Sequence, residues 1–125
     1  ALVDDVIGFA FRDELRVNER GLGLYAQGAQ RPNVSQAFAI VSQRWTDLTA
    51  RIPADRHAGL VDVASGFCDV ADIARVDAFF ADKRDSIEGL ALMLANVDEG
   101  IALCAAQATA TRDVMRATLK RVPRR

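Results

Sequence analysis

The sequence predicts an all-α fold, and three observations carry that expectation. Apolar residues recur at spacings of three and four along most of the chain, the period of one helix face. Residues that start and stop helices bracket several of those runs. No segment alternates apolar and polar residues in the way a half-buried strand requires. With 125 residues, half of them hydrophobic, the chain has material for one domain with a core and too little for two ordinary ones.

The first element is "ALVDDVIGF", amphipathic from its first residue and without an initiator Met, which reads as a cut into a larger protein. "NERGLGLYAQG" predicts a helix from Asn18 to about Gly28, weakened by two internal glycines at roughly 1 kcal/mol each. "NVSQAFAIVSQRWTDLTARI" predicts one long helix, with Val34, Phe38, Val41, Trp45 and Leu48 on a single face. Asn33 stands at its N-cap, Gln36 at the capping-box position and Pro53 at its stop.

"DRHAGLVDVAS" predicts a shorter helix ending at Gly66, a residue suited to the left-handed position after a helix. "DVADIARVDAFFADK" starts from Asp69 as N-cap, with Asp72 at its third helical position. Ile87, Leu90, Leu94, Val97, Ile101 and Cys104 then form the most regular stripe in the chain. A last helix, "TRDVMRATLKRV", carries Met115, Leu119 and Val122 and is closed by Pro123. The total is about seven helices, and their short connections favour antiparallel neighbours, in a bundle or in an α-solenoid of stacked helix pairs.

Adjacent Phe79 and Phe80 bear on that choice. Neighbours on a helix point about 100° apart, so one narrow stripe does not bury both rings. Together with Ile73 and Val76 they spread apolar surface over more than one side, as a helix between two layers would. The expectation is therefore an armadillo- or HEAT-like solenoid, with one ring serving each layer. No strict repeat of the kind found in ankyrin or tetratricopeptide arrays is present.

Composition excludes several function classes. Sixteen basic and 17 acidic side chains give a formal charge of −1 and are spread along the length, so no single-sign field marks a nucleic-acid or anionic-membrane surface. No apolar run approaches the ~20 residues of a bilayer span. The chain reads as soluble and cytoplasmic, and the basic "KRVPRR" end suits a helix C-terminus. Cys68 and Cys104 have no C-x-x-C partner; each reads as a small buried hydrophobe in a reducing compartment, with a disulfide left open by sequence alone.

No catalytic or metal-binding residue is found. His57 is the single histidine, without a second His or Cys at ligand spacing, and reads as a surface residue in a first helical turn. Ser35, Ser42, Ser65 and Ser86 lie outside any G-x-S-x-G, and "GLG" at 21–23 is not a phosphate loop. The adjacent acidic pairs Asp4 and Asp5, Asp13 and Glu14, and Asp98 and Glu99 splay apart on a helix and read as solvated faces.

The order of three segments is nevertheless distinctive. "FAIVSQRWTDL", then "ASGFCDVADIARVDAFF", then "LANVDEGIALCAAQ" resembles the C-terminal helical domain of M1 family zinc aminopeptidases. The family's Asn-Trp-Asp and leucine appear here as "RWTDL", with Arg44 in the Asn position. Its Phe, helix cap and Val-x-x-Phe-Phe pattern are matched by Phe67, Asp69, Val76, Phe79 and Phe80. "LRVNE", centred on Arg16, is similar to the family's short link between two helices, whereas the Trp of its last long helix is absent from "GIALCAAQ". The resemblance spans roughly residues 12 to 121.

What the resemblance implies is a domain without its own activity. The zinc site and exopeptidase motif of such enzymes lie in a separate catalytic domain, so zinc is implied for the parent protein only. The helical domain would enclose the peptide chamber and take part in closure, with the catalytic domain of the same polypeptide and the peptide substrate as partners. No peptide-binding residue is carried over. An independent helical scaffold binding a protein or peptide on a concave face is the alternative. Self-association through an apolar face around Leu2, Val6 and Phe9 is a further expectation.

Overall fold

The computed structural model describes residues 2–122, which contain helix and no strand. Six α-helices are α1 (Leu2–Gly8), α2 (Leu22–Gly28), α3 (Val34–Gln43), α4 (Trp45–Arg51), α5 (Val70–Phe80) and α6 (Leu90–Arg121). Three 3₁₀ segments, Phe9–Phe11, Ala54–Arg56 and Ala58–Ala64, complete the described elements. Seven of these nine are at least seven residues long, which meets the all-α class and the helix number expected from the sequence.

The hub of the fold is the 3₁₀ segment Ala58–Ala64, which packs against α2, α3 and α6. An α-helix was expected there. Leu60, Val61, Val63 and Ala64 are all fully buried, so the segment has no continuous polar face. A three-residue turn sends successive side chains about 120° apart, toward neighbours on three sides, where an α-helix would present one stripe.

Two backbones meet at the hub's far end. A Cβ on Gly28 would lie 2.3 Å from the Val63 carbonyl oxygen, and one on Gly66 would lie 2.3 Å from the Gly28 carbonyl oxygen. The Gly66 amide donates to that same Gly28 carbonyl at 2.9 Å. Gly66 thus serves a close approach and not the left-handed helix terminus predicted for it. That conformation occurs instead at Gly89, with φ of 80°, at the N-cap of α6.

Other boundaries shift for local reasons. α2 begins at Leu22 and leaves Asn18 in a turn. The long helix predicted over 33–52 is broken at Arg44 into α3 and α4. The Arg44 guanidinium lies 3.4 Å from the Phe11 ring centroid and donates to Asp47 at 2.6 Å, while the Ser42 hydroxyl donates back to the Phe38 carbonyl at 2.7 Å. Such back-bonding bends a helix, and the stacked Arg44 holds the bend. The capping box is not formed either: Asn33 makes no side-chain cap and donates to Gln27, and Gln36 donates to Asp4 at 2.7 Å.

α5 follows its sequence signals: the Asp69 carboxylate accepts from the Ala71 amide at 2.9 Å, a cap of about 1 kcal/mol. α6 joins the stripe helix and the predicted last helix into 32 continuous residues, since "AQATATRD" contains no glycine or proline to part them. Leu90, Leu94, Val97 and Ile101 are buried against the body, and Lys120 and Arg121 occupy the last turn as the helix dipole favours. Pro123, the predicted stop, lies outside the described residues. By length and composition α6 is apolar enough to cross a membrane, with an 18-residue mean hydropathy of 1.3, and its first half serves as a core helix.

Candidate functional site

Trp45, Phe67, Val76, Phe79 and Phe80 are brought together, although they come from α4, α5 and the connection that precedes α5. The Trp45 ring centroid is 5.6 Å from Phe79 and 5.6 Å from Phe80, each edge to face. Phe79 also meets Phe38 at 5.8 Å, and Phe38 meets Phe67 at 5.7 Å. Val76 and Phe80 are fully buried, and Phe79 is half-buried at the margin. Both rings of the pair therefore join one aromatic cluster through Trp45. The two rings also meet each other at 4.9 Å, and Phe79 reaches on to Phe38 while Phe80 is fully enclosed.

Cations cover the outer side of this cluster. Arg75 lies 5.3 Å from both the Phe38 and Phe67 centroids, and Lys83 lies 4.3 Å from Phe79. These contacts place each cation over an aromatic face, at about 0.5–1 kcal/mol each. Arg16, by contrast, is exposed in the turn before α2, where its carbonyl accepts from the Glu19 amide at 2.8 Å. The structure does not bring it to the other family-like residues.

Arg20, which sequence reading passed over, takes the anchoring role. Its side chain is only 13% exposed and donates to the Arg51 carbonyl at 2.9 Å, at the end of α4. Arg51 pairs with Asp13 at 2.6 Å and with Asp47 at 2.8 Å, and Arg44 pairs with the same Asp47. The hydrogen bond from Arg51, then that from Arg44, holds the Asp47 carboxyl below the usual carboxylate range. His57 completes this end, with Nε2 2.7 Å from the Ile52 carbonyl and 3.0 Å from that of Thr49. Since carbonyls only accept, Nε2 carries the proton and caps the carbonyls at the end of α4. His57 is half-buried and not the surface residue predicted.

One acidic pair departs from the solvated-face reading, but its partner is Asp77 and not the adjacent Glu99. Burial, then the charge of Asp77 and a hydrogen bond shared with it, raise the Asp98 pKa. The Asp98 Oδ1 is enclosed and has no hydrogen-bond partner. A raised folded pKa means a contribution fully present below the unfolded value and lost as pH rises through the folded one. Asp98→Asn is accordingly expected to raise the melting temperature at neutral pH and to lose that advantage in acid below the ordinary aspartate range. Equal shifts at both pH values in thermal unfolding would contradict this origin.

The two cysteines form a disulfide, Cys68 to Cys104, with Cα atoms 5.1 Å apart. This corrects their reading as separate reduced hydrophobes. The crosslink stands where α6 leaves the body. Beyond it, Val114, Met115, Leu119 and Val122 are all exposed, forming a projecting arm with no cover. The arm carries Arg112, Arg116, Lys120 and Arg121 against Asp113 alone, so charge is less evenly mixed than its sum suggested. Of the N-terminal face expected to be sticky, Leu2 and Phe9 are exposed and Val6 is half-covered.

An open groove of about 710 Å³ runs in the crook between the start of α5 and the arm, lined by Cys68, Asp69, Val70, Ala105, Thr109 and Arg112. It offers a carboxylate already used as a cap and small apolar side chains, without a nucleophile–base pair. Among the described residues no three His, Cys, Asp or Glu side chains are grouped to hold a metal ion. Comparison of the chain with protein-family models, curated proteins and solved structures returns no match.

Proposed function

We propose that the chain is a non-catalytic helical domain of an M1-type zinc aminopeptidase, a part of the wall of the peptide chamber that moves with closure over the catalytic domain. The observation that carries this reading is the convergence of Trp45, Phe67, Phe79 and Phe80, the residues of the family-like segments, in one packed cluster. Enclosing a peptide sequesters hydrolysis from bulk water, and a packed helical layer moves as one body. On this reading the layer stacks on further helix pairs of the same polypeptide, and its partners are the catalytic domain and the peptide.

Among the described residues no donor group suits zinc, so no hydrolytic step is assigned to this chain, and on this reading the metal would sit in the catalytic domain. The Cys68–Cys104 disulfide favours an oxidising compartment over the cytoplasm as the place of work. The deciding experiment is to read the coding sequence upstream of Ala1 and express the full protein. An in-frame H-E-x-x-H with a downstream Glu, and zinc-dependent release of N-terminal residues from peptides, are expected. A start codon a few residues before Ala1, or zinc-dependent hydrolysis by this chain alone, would overturn the reading.

A further inference from the structure

We propose that the Cys68–Cys104 disulfide is a thiol–disulfide exchange site for small dithiols, with Cys68 Sγ as the atom attacked and Cys104 as the leaving thiolate. Access comes first. Cys68 lines the 710 Å³ groove and also a second open groove of about 320 Å³ bounded by Arg31, Phe67 and Asp72. Both cysteines are only half-buried, so a reductant reaches the bond without unfolding the chain.

Electrostatics then divides the two sulfurs. The Arg31 guanidinium, on an exposed side chain, donates to Cys104 Sγ at 2.9 Å. Toward a disulfide sulfur that contact is weak, but toward a thiolate it is a charge-assisted hydrogen bond. A cation beside a cysteine lowers its thiol pKa, and a thiol of lower pKa leaves faster in exchange. Cys68 is set differently: Arg31 borders its smaller groove but gives its hydrogen bond to Cys104 Sγ, and Asp72 there pairs with Arg75 at 3.7 Å. The carboxylates of Asp69 and Asp72 share its groove, and Asp69 already occupies the start of α5 by accepting from Ala71. The cation held on Cys104 Sγ therefore marks that sulfur as the one that leaves.

The exchange balances as follows. A thiolate of the dithiol attacks Cys68 Sγ, a bond forms between them, and the Cys68–Cys104 bond breaks. The electron pair leaves on Cys104 Sγ beside Arg31. The second thiol of the reagent then displaces Cys68 and closes a ring. Overall the protein cystine is reduced to two cysteines, and the dithiol is oxidised to a cyclic disulfide. Reduction unfastens the last covalent hold on α6 before its arm.

The folded chain is treated with dithiothreitol without denaturant, and free thiols are alkylated and counted by mass at successive times. Native-state reduction is expected, with Arg31→Gln slower by roughly threefold because the leaving thiolate loses its charge-assisted hydrogen bond. Arg31→Lys is expected to keep most of the wild-type rate, and circular dichroism checks that each variant keeps its helix. Glutathione, a monothiol, is expected to leave its adduct on the peptide containing Cys68. An adduct on Cys104, an unchanged rate in Arg31→Gln, or reduction only after unfolding would each overturn the proposal.

Discussion

Gly28→Ala is expected to destabilise the fold by about 3 kcal/mol or more, the upper end of overpacking penalties. The added Cβ would stand 2.3 Å from the Val63 carbonyl oxygen and 2.7 Å from its Cα, atoms of a backbone held in the hub. A side chain rotates away from such a clash, whereas this backbone is fixed by the buried Leu60, Val61 and Ala64 around it. Gly8→Ala is the control, because a Cβ there meets nothing within 4 Å and the residue is in right-handed helical conformation. It is expected to be neutral or to stabilise by a few tenths of a kcal/mol. Urea unfolding of both variants decides the matter: equal midpoints would refute the close-approach account.

Phe80→Ala is expected to cost about 3–5 kcal/mol, since the ring is fully buried and its removal leaves a cavity under Trp45. Phe79→Ala should cost clearly less, because that ring is half-buried at the cluster margin. Both substitutions should alter the near-ultraviolet circular dichroism of Trp45, the single tryptophan, which each ring meets at 5.6 Å. A variant pair in which only one perturbs that signal would show that the rings serve different environments after all.

The parts of this fold that were legible in the sequence are those set by neighbours along the chain. The α5 cap is one case: Asp69 needs only the amide of Ala71, two residues on. The stripe from Leu90 to Ile101 is another, because a helix face repeats whatever covers it. The features that escaped depend on distant partners. The break at Arg44 is held by the Phe11 ring, which no reading of residues 33–52 supplies. The 3₁₀ form of the hub follows from being surrounded by α2, α3 and α6, and the contact between Gly28 and Gly66 exists only once they fold.

The candidate site divides in the same way. The residues of the aromatic cluster were named from sequence, yet their meeting through Trp45 was not, since adjacency on a helix does not reveal a distant ring that reaches both. The disulfide needed a distance that spacing does not encode. Arg20 carried a weak signal, one arginine among many, and its role follows from the carbonyls at the end of α4, which a helix leaves unpaired.

From Cys104 to Arg121 the projecting part of α6 is a rod about 25 Å long, at 1.5 Å per residue. Rigid along its axis and fastened only at its root, it acts as a lever. A tilt of roughly 10° at the crosslink carries the tip about 4 Å, roughly three-quarters of the rise of one helical turn. Whatever touches Lys120 and Arg121 at that tip therefore exerts its greatest torque on Cys104, and a shift too small to notice in the core becomes a large stroke at the arm's end.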